Sequence, residues 1–88
     1  MIHGYGLCGS GYYSMIKHLK RYFRVTSIDL LGMGCSGRPN FELKTAQQCI
    51  DYFILSIEAW VQATKYNEEP FYILGHSLGG YLSVLYSI

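Results

Sequence analysis

The sequence predicts an α/β fold of three layers (α/β/α), with helices on both faces of parallel strands, and three observations carry that prediction. Short apolar runs at residues 1–3, 25–28 and 71–74 alternate with stretches whose apolar residues recur every three or four positions, giving strand and helix in strict alternation. Glycine-rich turns stand where a run hands over to a loop or helix. Half of the 88 residues are apolar and 15% are charged, with nine Tyr, four Phe and one Trp, which favours a packed core over a disordered chain. So much apolar surface in so short a chain exceeds what one small core can bury, so residues 1–88 are expected to be an incomplete domain of a larger core.

Residues 1–3 read as the tail of a strand, followed by four glycines among residues 4–11. Tyr12, Ile16, Leu19 and Phe23 then form one stripe, predicting a helix over about residues 12–21. Residues 25–28 are partly β-branched and lead through Asp29 into a glycine-rich loop, a second strand and its exit. Thr45 with Gln48 three residues later matches a capping box, and Ile50, Phe53, Ile54, Ile57, Trp60 and Val61 share the face of the helix it opens. After a break at residues 67–70, the unbroken apolar run 71–74 predicts a strand buried on both faces. Beyond Ser77, Leu82 and Leu85 share a side with the small residues Gly79, Gly80 and Ser83, as in a helix packed tightly onto a sheet.

Composition excludes several functions. Seven basic and six acidic residues give a net charge of +1, without the concentrated basic face that a nucleic-acid reader needs. The cluster Lys17, Lys20, Arg21 and Arg24 reads as a solvated helix face. Cys8, Cys35 and Cys49 are odd in number and lack the C-x-x-C spacing of zinc or thiol-redox sites, so a reducing, cytoplasmic compartment fits best. No apolar run reaches the roughly 20 residues of a membrane-spanning helix, and residues 1–4 have no charged or apolar leader character. The glycine turn begins only three residues in, an abrupt start that points to a truncated or artificial Met1.

The chemistry is concentrated at Gly75-His76-Ser77-Leu78-Gly79, a G-x-S-x-G sequence directly after an apolar strand and before a helix. Reversing from strand to helix in about two residues forces a strained backbone on Ser77 and lifts its hydroxyl clear of the sheet, with Gly75 and Gly79 removing colliding Cβ atoms. The N–H of Leu78, at the helix start, would then face an anion held on Ser77. Stabilising the oxyanion of acyl transfer takes a second donor, and His3-Gly4-Tyr5-Gly6 can supply it from the Tyr5 N–H, with Gly4 and Gly6 allowing the turn and His3 bracing it.

These two motifs, with Asp29-Leu30-Leu31-Gly32-Met33-Gly34-Cys35-Ser36 and Arg38-Pro39 between them, resemble the landmarks of the α/β-hydrolase family in their usual order, across essentially the whole chain. The D-L-L-G-x-G-x-S and G-H-S-L-G-G elements are similar to a lipid-directed subgroup that includes N-acyl-phosphatidylethanolamine lipases, cardiolipin deacylases and lysophosphatidic acid acyltransferase-like coactivators. The resemblance implies Ser77 as nucleophile, Tyr5 and Leu78 as backbone oxyanion donors, and Asp29 with Ser36 as organisers of the loop after the second strand. It also places the strand at residues 25–28 beside that at 1–3, which in turn neighbours 71–74. A serine esterase, lipase or acyltransferase acting on a lipid-like or small ester is implied, with no metal or organic cofactor and with peripheral association to membranes or lipid droplets. Cys35 and Gly37 depart from the family pattern within the loop.

In this family the catalytic acid and histidine follow the nucleophile, and the sequence stops eleven residues after Ser77. His3 and His18 precede the serine, His76 adjoins it, and Asp29 and Asp51 fall outside the expected order, so this stretch alone is expected to be inert. Two rival readings remain. Gly4-Tyr5-Gly6-Leu7-Cys8-Gly9 followed by Asp29 matches a dinucleotide-binding fingerprint, although Gly32 to Gly37 matches the same glycine pattern with no helix behind it. A non-catalytic scaffold on the hydrolase fold would keep the architecture without the chemistry.

Overall fold

Ile2 is the hub of the framework. In the computed structural model, which describes residues 1–88, it pairs in parallel with Ile28 on one side and with Gly75 on the other. The Ile28 N–H donates to the Met1 carbonyl (3.2 Å) and the amino terminus donates to the Thr26 carbonyl (2.7 Å). Across the other side, the Ile2 N–H donates to Leu74 O (2.8 Å) and the His76 N–H to Ile2 O (3.2 Å). The parallel sense of the three segments is that expected from the alternation of strands and helices, and their order is that implied by the family resemblance.

The expected sheet itself is reduced to these bridges, and no segment extends into a regular strand. The central segment offers only residues 1–3 before the Gly4 turn, and each outer segment has a partner on one side alone, too few ladder bonds to propagate a strand. With no regular sheet present, the expected layering of helices on its two faces is not shown. The run 71–74, expected to be buried on both faces, is a free edge: Tyr72 is 89% exposed, and Phe71 and Leu74 are also open to solvent, because nothing pairs with or covers their outer side.

The helices follow the sequence more closely. A 3₁₀ turn, Gly9–Tyr12, leads into α1, Tyr13–Leu19. The second helix, α2, spans Ala46–Thr64 and opens with the expected capping box, in which the Gln48 N–H donates to Thr45 Oγ1 (3.2 Å) and the Thr45 N–H to Gln48 Oε1 (3.3 Å). It ends at Lys65 in the left-handed conformation (φ 55°), and a short 3₁₀ turn, Tyr66–Glu68, follows. The last helix, α3, spans Leu78–Ser87 and packs against α2, whereas the helical element that α1 packs against is the 3₁₀ turn before it.

The core lies where α2 and α3 meet the paired segments. Phe53, Ile57 and Val61, one face of α2 at helical spacing, close over Ile2, Leu30 and Leu82. The entry into α3 comes so close to the segments that a Cβ at Gly79 would collide with the carbonyl groups of Ile2 and His3, and one at Gly75 with the Gly79 backbone and Ser83. Glycine at both positions lets the start of α3 seat directly on residues 2–3. No helix of the structure is long and apolar enough to cross a membrane.

Candidate active site

Ser77 stands between the paired segment and α3 with φ 54° and ψ −121°. For a residue bearing a Cβ this is strained backbone, of a kind that persists only where its surroundings enforce it. The enforcement is visible on both sides: the Ile2–Gly75 pairing fixes the chain before Ser77, and the Gly79 N–H to His76 O (2.9 Å) and Tyr81 N–H to Ser77 O (3.0 Å) bonds fix it after. The serine side chain is exposed and makes no capping bond to the helix it precedes, so its hydroxyl is left for something else. Leu78 opens α3, where a backbone N–H has no intrahelical acceptor.

The glycine turn at residues 4–11 comes to the same place. A Cβ on Gly4 would stand 3.2 Å from the Ser77 Cβ and 3.4 Å from His76 Nδ1, so the N-terminal turn abuts the serine at a point where only hydrogen fits easily. Tyr5 and Gly6 form the exposed tip, with the Tyr5 ring 82% exposed and Gly6 in the left-handed region at φ 71°. The sequence motifs at residues 3–6 and 75–79 are thus brought together, 70 residues apart in the chain.

His3 is 1% exposed. Its Nε2 accepts from the Leu30 N–H (2.9 Å), which leaves Nδ1 to carry the proton and donate to Gly4 O (2.7 Å). With both nitrogens occupied, the imidazole is a brace between the turn and the loop after Ile28. His76 is exposed beside Ser77, and His18 is exposed on α1, away from the serine.

Asp29 and Ser36 shape that loop. Asp29 Oδ1 accepts from the Gly9 N–H (2.6 Å) and Oδ2 from the Cys35 N–H (2.9 Å), while its own carbonyl accepts from Ser36 Oγ (2.6 Å). The Cys35 amide, with that of Gly9, holds the carboxyl below the usual carboxylate range. Gly34, at φ 54°, passes so near the carboxylate that a Cβ there would collide with it. Gly37 closes the loop, its carbonyl accepting from the Gly32 N–H (2.8 Å). Arg38 reaches back to the carbonyls of Ser36 and Gly34, both at 3.0 Å. Both Asp29 oxygens thus serve the loop's own backbone, and the second glycine pattern at residues 32–37 is a self-bonded loop.

Tyr12, on the apolar stripe of the first helix, and Ser27, in the second strand segment, tie the turn to the paired segments. Tyr12 Oη donates to Ile2 O (2.9 Å) and Ser27 Oγ to Gly9 O (3.0 Å). The available signal was chemical: a half-buried tyrosine or serine hydroxyl needs a partner. An apolar cavity of about 610 Å³ lies elsewhere, lined by residues such as Phe23, Val25, Trp60, Tyr66 and Phe71 and by none of residues 75–79. No group of three or more His, Cys, Asp or Glu is placed to hold a metal ion.

The family model described as alpha/beta hydrolase fold matches residues 1–88, and the chain belongs to that family. Among curated proteins it is 40% identical over 88 residues to a probable 1-acylglycerol-3-phosphate O-acyltransferase of Oryza sativa subsp. japonica, covering all of this chain and 21% of that protein. It is 39% identical to a 1-acylglycerol-3-phosphate O-acyltransferase of Arabidopsis thaliana, again over all of this chain and 21% of the relative. A (lyso)-N-acylphosphatidylethanolamine lipase of Bos taurus is 37% identical over 89 residues, all of this chain and 25% of the relative. The chain therefore spans about a fifth to a quarter of the length of these relatives. No solved structure matches.

Proposed function

We propose that the protein carrying this chain is a serine hydrolase or acyltransferase that acts on a lipid ester through an acyl-enzyme on Ser77. The observation that carries the reading is the backbone of Ser77, strained at φ 54° and ψ −121° with Gly4 of the glycine turn against it. Strain of this kind stays in a fold when it does something, and here it holds an exposed hydroxyl between the start of α3 and the Gly4 turn.

In the reaction, Ser77 Oγ forms a bond to the ester carbonyl carbon while its proton passes to a base. The carbonyl oxygen becomes an oxyanion that the N–H groups of Tyr5 and Leu78 stabilise, each worth about 2.7–4 kcal/mol of barrier. Collapse breaks the C–O bond, the alcohol leaves with the proton, and the acyl group remains on Ser77. Water then gives hydrolysis, and a second alcohol gives transfer. His3 is unsuited to the role of base because both its nitrogens are bonded. A lipid substrate is supported by the lipase and acyltransferase names of the relatives, and peripheral contact with a membrane or lipid droplet is proposed with it.

The test is Ser77→Ala in the protein carrying this chain. Turnover of a lipid ester and labelling by a fluorophosphonate should both disappear, while wild-type turnover by the variant ends the proposal. A wild-type protein that neither labels nor turns over an ester is the outcome the scaffold reading requires.

A further inference from the structure

The turn that carries Tyr5 has a free outer side. Tyr5, Gly6 and Leu7 are exposed, and a Cβ on Gly6 would meet nothing within 4 Å. Left to itself such a loop would sample many positions, and a backbone N–H within it would make a poor catalytic donor, since stabilisation of a developing charge depends on donors already in place.

The inner side is different. At the far end of the turn the half-buried Tyr12 donates its hydroxyl to Ile2 O at 2.9 Å, and the same oxygen accepts the His76 N–H at 3.2 Å and lies against Gly79. One carbonyl thus joins the end of the turn to the residue before Ser77 and to the start of α3. In the middle of the turn Gly9 is gripped on both of its backbone groups, its N–H by Asp29 (2.6 Å) and its carbonyl by Ser27 Oγ (3.0 Å). A Cβ at position 9 would stand only 2.7 Å from Ser27 Oγ, so the glycine is seated between the two side chains.

We infer that Tyr12 and Ser27 are positioning residues for acyl transfer, fastening the glycine turn so that the Tyr5 N–H stays aimed at an oxyanion held on Ser77. The inference rests on the proposed roles of Ser77 and Tyr5. Neither hydroxyl touches substrate. Each acts by restricting where the turn can go, and because a misplacement of about 1 Å can cost 10²-fold in rate, their loss is felt in the chemical step.

The experiment compares Tyr12→Phe and Ser27→Ala with wild type in the protein carrying this chain, using a p-nitrophenyl fatty-acyl ester as substrate and a fluorophosphonate as the Ser77 probe. Both variants should lower kcat by about 10- to 100-fold with KM within about twofold, and should slow phosphonylation in parallel, because both readouts need the oxyanion donors in place. Tyr86→Phe, which removes a hydroxyl bonded between α2 and α3, should leave kcat unchanged. Thermal melting identifies the folded variants, and Ser27→Ala decides the matter if Tyr12→Phe does not fold. Wild-type kcat in a folded variant, or a loss confined to KM, overturns the inference. If Ser77→Ala is also fully active the underlying reading fails, whereas an inactive Ser77→Ala beside wild-type Tyr12→Phe and Ser27→Ala refutes the positioning role alone.

Discussion

Ser77 carries both the proposed chemistry and a conformational cost, and the two can be separated. At φ 54° and ψ −121° a Cβ costs on the order of 1–3 kcal/mol, part of which glycine would recover after its own greater loss of chain entropy. Ser77→Gly is therefore expected to raise stability by about 0.5–2 kcal/mol while abolishing turnover, with Ser77→Ala close to wild type in stability. Denaturation midpoints of the three proteins check this, and a glycine variant less stable than the alanine one refutes the strain argument. Asp29 is a second residue-level case. Its pKa is depressed by the Cys35 and Gly9 amides, so its stabilising contribution is present above the unfolded value near pH 4 and is lost as the pH falls through the lower folded value. Asp29→Asn should lower stability at neutral pH by on the order of 1 kcal/mol, allowing for solvent screening, and should flatten the acid limb of the stability profile below about pH 4. An unchanged acid limb counts against the carboxylate as the loop's organiser. The bend at Ser77 was legible in the sequence because G-x-S-x-G between an apolar run and a helix leaves the backbone few options. The hydroxyl bonds of Tyr12 and Ser27 were not, since they depend on partners ten and eighteen residues away that no local pattern specifies.

Among the elements, the helices are legible in the sequence and the strands are not, for a physical reason. A helix bonds to itself, so the Thr45–Gln48 capping box and the 3–4 spacing from Ile50 to Val61 suffice to define α2. A strand needs neighbours, and residues 25–28 and 71–74 each have one side unpaired, so their apolar character yields single bridges in place of a ladder. The contact between α2 and α3 supplies an element-level prediction. Tyr86 Oη donates to Glu58 Oε2 at 2.5 Å, and burial, followed by this carboxylate, pushes the phenol up to about 12, while the Tyr86 hydroxyl, with the Gln62 amide, draws Glu58 down. A raised folded pKa stabilises below the unfolded value near 10 and ceases to do so as the pH passes 12, so the helix pair should loosen across that window. In Tyr86→Phe, phenolate absorbance near 295 nm should lose a late-titrating component, while that of Tyr12, also raised by burial, remains, and stability should depend more weakly on pH between 10 and 12. A variant with the same late titration as wild type assigns the shift to another tyrosine.

At the scale of the whole molecule, packing is lopsided. Only 11 of 88 residues are buried, and the apolar core holds six side chains, yet Tyr72, Tyr22, Leu55, Val84 and Ile88 each expose half or more of their surface. The backbone makes 46 hydrogen bonds to itself, 29 of them inside the regular elements, so few long-range bonds tie the elements to one another. Burial at about 25 cal/mol per Å² offsets chain entropy only when most of the apolar surface is covered, and a chain of this size is already near the lower limit for a single core. The 88 residues made by themselves are thus expected to unfold over a broad range without a sharp thermal transition, and to bind a hydrophobic dye such as anilinonaphthalene sulfonate. The same residues within the protein that carries them should melt cooperatively and bind little dye, because the edge at 71–74 and the cavity beside Trp60 and Phe71 would there be covered. Differential scanning calorimetry of both, with dye fluorescence, reads the comparison. A sharp transition with no dye binding by the chain alone would mean that six core side chains suffice, and that the exposed aromatic residues belong to a finished surface.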